Sequence, residues 1–244
     1  MSIEQEFLEE FGTITFSEET PAEMNLGWAP AEDERDYKAE DYLTAEITSG
    51  KALWANPIQL DQGREGACVG FGWTGFLNAK PVKHEYANQM GFDVYHRAQQ
   101  IDEWPGEAYS GTSVRAGAKV LVERGHINAY AFTQNVETLA HFLLNNGPAP
   151  IGVNWHQGMD RVDSEGYIYP TGSVRGGHCV IVDGVVFGVE GEVDRFRIRN
   201  SWGLSWGLNG RCRIKVEDLR KLFSAGGTAC TAVDIPSQVD IPSQ

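Results

Sequence analysis

Hydrophobic residues change their spacing about halfway along this chain of 244 residues. Before Pro148 they recur at helical intervals, and the pattern predicts helices at about 68–79, 84–100, 112–124 and 136–146. After Pro148 they form short runs typical of strands, at 149–155, 167–169, 178–187, 196–202, 211–216 and 229–235. Helices followed by strands predict an α+β fold with two lobes.

The first predicted helix is almost wholly apolar although it contains Gly70, Gly72 and Gly75. Each glycine costs about 0.5–1 kcal/mol relative to alanine, so such a helix needs tight packing on all sides. We therefore expect it to be central and enclosed. Cys68 stands at its start, where unpaired N–H groups and the helix dipole lower the pKa of a thiol.

A hairpin is predicted in the second half of the chain. The run 178–187 and the run 196–200 flank a turn-like stretch at 188–191. A turn centred near residues 189–191 brings His178 and Asn200 close together on neighbouring strands.

The pattern divides the chain into four segments. Residues 1–51 form an acidic N-terminal strap, with a possible short helix at 2–11, and residues 52–148 form the helical lobe. Residues 149–232 form the β lobe, and residues 233–244 form a tail that repeats Val-Asp-Ile-Pro-Ser-Gln. Within the strap, Leu26, Trp28, Tyr37 and Tyr42 are expected to anchor an extended chain on the body.

Charge is concentrated in the strap. The first fifty residues hold fourteen Asp and Glu against Arg35 and Lys38, whereas the rest has twenty acids against eighteen bases. No basic patch suits nucleic acid, so none is expected as a partner. The acidic segment is instead a possible docking surface for a protein partner or an inhibitory segment.

The remaining features limit where the protein is expected in the cell and which cofactors it is expected to use. The N-terminus lacks the basic and apolar regions of a secretory signal, and no apolar run is long enough to cross a membrane. The four cysteines form no CxxC pair, which favours neither disulfides nor a metal site. We expect a cytoplasmic protein without cofactors, or a virion-associated one if it is encoded by a phage.

Four residues together suggest thiol chemistry. A catalytic thiol needs a base, a group that holds the base, and donors for an oxyanion, and Cys68, His178, Asn200 and Gln62 suit these roles in that order. Singly each is weak, because a cysteine at a helix start is more often a small buried hydrophobe and an asparagine beside a turn is more often a turn former.

The combination resembles the papain-like cysteine peptidase family. Three segments carry the resemblance, at 61–68 (Asp-Gln-Gly-Arg-Glu-Gly-Ala-Cys), 176–184 (Gly-Gly-His-Cys-Val-Ile-Val-Asp-Gly) and 199–210 (Arg-Asn-Ser-Trp-Gly-Leu-Ser-Trp-Gly-Leu-Asn-Gly). Weaker similarity to bacterial and phage-type members lies at 26–30 (Leu-Gly-Trp-Ala-Pro), with Arg-Asp-Tyr at 35–37, and at 110–115 (Ser-Gly-Thr-Ser-Val-Arg).

The resemblance implies a helical lobe packed against an antiparallel, β-barrel-like lobe, with the active-site cleft between them. It implies that Cys68 attacks a peptide carbonyl as half of a thiolate–imidazolium pair and forms a thioester. His178 then serves as base and acid, and Asn200 accepts a hydrogen bond from the second imidazole nitrogen. The substrate is a peptide or protein, and neither a metal nor a cofactor takes part.

The resemblance also implies supporting roles for three residues. Gln62 and the Cys68 N–H form the oxyanion hole, Trp202 shields the bond between Asn200 and His178, and Gly111 contacts an extended substrate.

Some features depart from the family pattern. Glu65 and Val69 replace the cysteine and aromatic residue found around the nucleophile of secreted members. The strap also lacks their long helical pro-region, so we expect either an enzyme made active or a cleft covered by part of the strap or the tail. Two alternatives stay open: a catalytically idle papain fold within a larger, possibly phage, assembly, and an acyltransferase or cell-wall amidase.

Overall fold

The computed structural model describes residues 26–34, 36–43 and 49–234. The described helices are α1 (Cys68–Asn78), α2 (Asn88–Ile101), α3 (Val114–Glu123), α4 (Val136–Asn145) and α5 (Val216–Ser224), with short 3₁₀ turns at Ala39–Tyr42 and Gln157–Met159. The strands are β1 (Gly50–Leu53), β2 (Ala129–Thr133), β3 (Ala149–His156), β4 (Val174–Phe187), β5 (Arg195–Arg199), β6 (Arg211–Lys215) and β7 (Thr228–Asp234).

The strands form one antiparallel sheet in the order β2-β7-β3-β4-β5-β6, and β1 pairs with the second half of β4. This confirms the expected mixture of helices and antiparallel sheet. Within the described part of the chain, however, the sheet stays open, because β2 and β6 end the order without pairing to each other.

The predicted hairpin is confirmed. In the β4–β5 pair Ile181 lies opposite Arg199, which centres the turn on residue 190, and a register shift follows between Val182 and Gly184. Asn200 comes directly after β5. On its other side β4 pairs with β3, where His178 lies opposite Val153.

Helix α1 is central and enclosed, as its composition predicts. All eleven of its residues are buried. A Cβ at Gly70 would lie 2.0 Å from the Gly91 carbonyl oxygen in α2, and one at Gly72 would lie 2.8 Å from Cys179 Sγ in β4. These two glycines therefore let α1 pack more closely on α2 and β4 than a residue with a side chain would allow.

The two faces of the sheet carry two hydrophobic cores. Val180 and Val182 of β4 face the core that contains α4 and α5, whereas Cys179 and Ile181 face the core that contains α1 and α3. His178 shares the first face because side chains alternate along a strand. His178 therefore lies on the opposite face of β4 from Cys179, whose N–H reaches Cys68 at the start of α1.

Helix boundaries follow local polar contacts. Ser113 caps α3 by accepting a hydrogen bond from the Ala116 N–H, and Gly125, beyond the end of that helix, has a φ of +73°. Helix α2 begins four residues later than predicted because the Asn78 side chain holds both backbone polar groups of Tyr86.

The division into helices first and strands second is wrong in detail. Strands β1 and β2 precede Pro148, and α5 lies among the later strands. The run predicted at 167–169 makes a single bridge, between Tyr167 and Arg213. Strand β1 also crosses the segment boundary placed after residue 51.

Two of the four expected strap anchors are wrong. Trp28 is buried and Leu26 packs on the core, but the side chains of Tyr37 and Tyr42 are 62% and 40% exposed. The two tyrosines pack edge to face on each other instead, with ring centroids 6.1 Å apart.

The four cysteines are free and buried. Cys212 and Cys230 lie on β6 and β7, which β3, β4 and β5 separate in the sheet. The predicted helix at 2–11 and the repeat after residue 234 lie outside the described residues. In the described ranges no helix is long and apolar enough to cross a membrane, and no three potential metal ligands cluster.

Candidate active site

Cys68 is the first residue of α1 and is fully buried. Its sulfur lies against β4, where the Cys179 N–H donates to Sγ at 3.3 Å. The side chain of Cys179 faces Gly72, one turn further along α1. The peptide bond that joins His178 to Cys179 therefore ties the thiol to the strand that carries the imidazole.

His178 is paired with Asn200. The imidazole Nε2 lies 2.8 Å from Asn200 Oδ1, and the same oxygen accepts the Ser201 N–H at 2.8 Å. Because an amide oxygen only accepts, Nε2 carries the proton and Nδ1 is the basic nitrogen. No residue in the described ranges hydrogen-bonds to that buried Nδ1.

Three tryptophans enclose this pair. The Trp202 ring stacks on the His178 ring at 4.8 Å between centroids, and Trp155 meets it edge-on at 4.9 Å. Trp206 packs on both indoles. Since all three are buried, the bond between His178 and Asn200 is kept from water. Sequence reasoning missed Trp155, which shows only as an inward position of β3.

Gln62 lies on a segment that runs antiparallel to the residues after β5. Its N–H donates to the Ser201 carbonyl at 2.9 Å, and its Oε1 accepts the Ser201 hydroxyl at 2.6 Å. Its Nε2 donates to the Glu65 carbonyl at 2.8 Å, within the turn that leads to Cys68. The Gln62 amide is thus held by the same loop that follows Asn200.

Residues 26–30, here called the covering segment, lie across the thiol. The Trp28 N–H donates to the Gly177 carbonyl at 3.0 Å, directly before His178. On the other side of the cleft the Thr112 N–H donates to the Gly27 carbonyl at 2.9 Å. The Gly27 backbone N–H also acts on the Cys68 thiol by lowering its pKa. The covering segment therefore bridges the helical and the β side directly over the sulfur.

Glycines make this approach possible. A Cβ at Gly177 would lie 2.0 Å from the Trp28 carbonyl oxygen, and one at Gly152 would lie 2.2 Å from Trp28 Nε1. Gly111, with a φ of +96°, would place a Cβ 2.4 Å from the Gly27 carbonyl oxygen. The Trp28 indole accordingly packs against the backbone of Gly152 and Gly177 and belongs to the same hydrophobic core as Cys68.

A buried ion pair anchors the chain just beyond the covering segment. Arg115 is 3% exposed and grips the Asp36 carboxylate through two nitrogens, with Nε lying 2.8 Å from Oδ1. It also reaches Glu103 at 3.2 Å and lies over the Phe132 ring at 5.3 Å. The Phe132 N–H in turn donates to the Tyr37 carbonyl at 2.8 Å.

Burial keeps both reactive groups uncharged in this covered arrangement. It raises the pKa of the Cys68 thiol to about 11, although backbone N–H groups of Cys179, Gly27 and Val69 act in the opposite direction. It lowers the pKa of His178 to about 4; the bond to Asn200 opposes that shift and the charge of Arg175 adds to it. The resemblance implies a thiolate–imidazolium pair in the resting state, and these two pKa shifts oppose that expectation for the covered arrangement.

The structure thus brings all six predicted site residues to one cleft. Cys68, His178, Asn200 and Gln62 surround its floor, Trp202 covers the imidazole, and Gly111 touches the covering segment. A thiol at a helix start, next to a strand whose histidine is held by an asparagine, is an arrangement typical of cysteine hydrolases.

Comparison with known sequences identifies the family within that class. The sequence profile of the papain family cysteine proteases matches residues 77–225, which is more than half of the chain. The chain therefore belongs to the papain family of cysteine proteases. The match includes His178, Asn200 and Trp202 but begins after Gln62 and Cys68.

Individual relatives match over shorter stretches. A cathepsin B-like cysteine proteinase 5 of Caenorhabditis elegans is 30% identical over 86 residues, which is 35% of this chain and 24% of the relative. Cathepsin B of Dictyostelium discoideum is 34% identical over 89 residues, 36% of this chain and 28% of the relative. The chain spans about a quarter of the length of these relatives.

Solved structures agree in fold. Xylellain, a cysteine protease from Xylella fastidiosa, superposes with a TM-score of 0.66 at 20% identity, covering 88% of this chain and 98% of xylellain. Digestive procathepsin L2 from Tenebrio molitor gives 0.58 at 18% identity, covering 93% of this chain and 87% of the other. Both confirm the papain-like architecture.

Proposed function

We propose that this protein is a cysteine endopeptidase that hydrolyses peptide bonds through a thioester on Cys68. One observation carries the proposal. His178 Nε2 is bonded to Asn200 at 2.8 Å, while the peptide after His178 donates to the Cys68 sulfur at 3.3 Å. A thiol, a base and a residue that orients the base are the parts that acyl transfer requires.

The reaction proceeds in two halves. The Cys68 proton passes to His178 Nδ1, Sγ attacks the carbonyl carbon, and the Cys68 N–H and Gln62 amide stabilise the resulting oxyanion. The intermediate collapses when the C–N bond breaks and the leaving amine takes the proton from His178. Water then attacks the thioester with His178 as base, which releases the carboxylate product and restores the thiol.

The covering segment indicates where a substrate binds. Its backbone uses the Gly177 carbonyl on one wall of the cleft and Thr112 on the other. An extended peptide that displaces it gains the same partners, and Gly111 keeps that wall free of a side chain. The Trp28 pocket then accepts a large apolar side chain of the substrate.

We further propose that the covering segment restrains the enzyme. Catalysis needs access to Cys68, and the hydrogen bonds of Gly27 and Trp28 occupy that space. Full activity therefore follows only when the covering segment is displaced or cut.

Three full-length variants test the proposal. Trp28→Ala weakens the covering segment, Tyr37→Ala changes an exposed side chain of the same strap as the matched control, and the double variant Trp28→Ala with Cys68→Ala also lacks the nucleophile. Each is treated with a thiol-directed epoxide and with a peptide library. We expect Trp28→Ala to be labelled on Cys68 and to cleave peptides, Tyr37→Ala to behave as the wild type, and Trp28→Ala combined with Cys68→Ala to do neither.

The covered thiol is also the observation that favours an idle papain fold with a structural role. Failure of the epoxide to label Trp28→Ala, when the variant is folded, supports that reading and refutes the peptidase. Labelling together with products joined to an added amine, instead of free carboxylates, indicates an acyltransferase.

A further inference from the structure

We infer that Gln59 is a positioning residue for Asn200, and so for the imidazole of His178. The inference rests on the proposed function, because it assigns Asn200 the role of orienting His178. Gln59 lies three residues before Gln62 and outside the residues that carry the family resemblance at 61–68. Its side chain nevertheless reaches the backbone of Asn200, where Nε2 donates to the carbonyl oxygen at 2.6 Å.

A buried arginine fixes the other end of the same amide. Arg199 Nη1 donates to Gln59 Oε1 at 3.2 Å, and Nε donates to Asp183 Oδ2 at 3.3 Å. Arg199 is 3% exposed and Asp183 is fully buried. The position of the Arg199 guanidinium is thus fixed by a carboxylate on β4, the strand that carries His178. The guanidinium in turn fixes the position of the Gln59 amide.

The same guanidinium organises the chain that leads to Gln62. Arg199 Nη2 donates to the Asn56 carbonyl at 2.5 Å and Nη1 to the Ile58 carbonyl at 3.4 Å. Past Gln59, the Gly203 N–H donates to the Leu60 carbonyl at 3.1 Å. Gln59 therefore lies where the segment before Gln62 is joined to the loop after β5.

The surroundings of Gln59 leave room for this amide because Gly210 has no side chain. A Cβ at Gly210, where φ is +79°, would lie 2.1 Å from Gln59 Cδ. Gly210 also accepts the Asn200 N–H at 2.9 Å. Both backbone polar groups of Asn200 are consequently held, one by Gly210 and the other by Gln59, which leaves its side chain aimed at His178.

The chemistry of these contacts requires an amide. Gln59 must donate to a carbonyl and accept from a guanidinium at the same time, and only an amide side chain of this length does both. Gln59→Glu keeps the size and the acceptor for Arg199 but places an oxygen against the Asn200 carbonyl. Gln59→Glu is therefore the discriminating variant.

A matched control exists on the surface. Gln100 is exposed and its Oε1 accepts from Arg97 Nη1 at 3.2 Å, so Gln100→Glu makes the same chemical change beside another arginine. All variants are made in full-length Trp28→Ala. The first readout is the pH dependence of Cys68 alkylation by iodoacetamide, which needs no peptidase activity. The second is kcat and KM for a peptide that the parent cleaves, and the third is the urea midpoint of unfolding.

We expect Gln59→Glu to raise the pH at which alkylation reaches half its maximum and to lower kcat roughly tenfold with little change in KM, the effect of one lost hydrogen bond. Gln100→Glu is expected to match the parent, and Gln59→Asn to match Gln59→Glu, because its amide is too short to reach. An unchanged alkylation profile in Gln59→Glu overturns the inference, even if kcat and the urea midpoint fall together. A shifted profile in a parent that cleaves no peptide supports the positioning role and refutes the peptidase.

Discussion

The two reactive groups of the site are buried in different ways. The imidazole of His178 is enclosed by Trp155 and Trp202, which belong to the hydrophobic core. The Cys68 sulfur lies under the covering segment, which crosses the cleft through a few backbone hydrogen bonds and the Trp28 side chain. The first enclosure is built from β3 and the loop after β5, whereas the second is built from a segment that precedes all the described strands.

This difference means that the orientation of the His178 imidazole and the access of substrate to Cys68 depend on different parts of the chain. Removing the covering segment leaves the bond between His178 and Asn200 in its tryptophan enclosure, so the base keeps its orientation. It returns water to Cys68, and the desolvation that raises the pKa of that thiol falls. On the proposed function, the site is oriented but uncharged in the covered protein and becomes reactive when the covering segment is displaced.

The largest expected effect comes from Gln62, which the loop after Asn200 holds in place and which the covering segment does not carry. In full-length Trp28→Ala, Gln62→Ala is expected to lower kcat by about two to three orders of magnitude, because one oxyanion donor is lost. Initial rates of peptide cleavage measure it, with Gln100→Ala as the control. An unchanged rate would show that Gln62 is not part of the oxyanion hole, and no side chain would then be assigned as a donor to the oxyanion.

The next effect concerns the enclosed imidazole and the stability of the covered protein. His178 has a pKa of about 4 when folded against a usual value of 6.5, so the unfolded chain binds more protons between these limits. Stability should fall as the pH drops from about 6.5 to 4, by roughly 3 kcal/mol for this shift. Urea unfolding at both pH values measures it.

Because many carboxylates also titrate in this range, the comparison is made with His178→Gln. Its free energy of unfolding should fall less between the two pH values than that of the wild type. Equal losses would mean that the tryptophan enclosure does not keep the imidazole uncharged.

The smallest effect comes from the removable cover. Burial of a large apolar side chain is worth about 1.5–3 kcal/mol, so Trp28→Ala should speed peptide cleavage roughly tenfold to a hundredfold. Cleavage rates relative to the wild type measure it, with Tyr37→Ala as the control. A slower rate in a folded Trp28→Ala protein would make the indole part of the working site instead of its cover.

Local patterns in the sequence predict much of the fold. The apolar run with three glycines predicts α1, and a hairpin turn centred near residue 190 predicts that His178 lies close to Asn200. Helix α5 also has a local signal, because one of its faces carries Val216, Leu219, Leu222 and Phe223, but the run at 211–216 predicts a strand that includes the first residue of this helix.

Other features depend on contacts that no local pattern contains. Strands β1 and β2 are short, and each exists through pairing with a strand more than ninety residues away. The site of Trp28 depends on Gly152 and Gly177, whose missing side chains become meaningful only when β3 and β4 lie together. The sequence therefore suggested a cover for the cleft without showing which residues form it.

The rate of Cys68 alkylation as a function of pH, in the wild type and in Trp28→Ala, tests the central claim most directly. The account predicts that the wild type reacts slowly until the pH approaches the raised pKa of about 11. It predicts that Trp28→Ala reacts at a lower pH, with its half-maximum shifted down by about one to two pH units, the equivalent of the roughly 1.5–3 kcal/mol assigned to the cover. Superimposable profiles would contradict the claim that the covering segment keeps an otherwise reactive thiol uncharged.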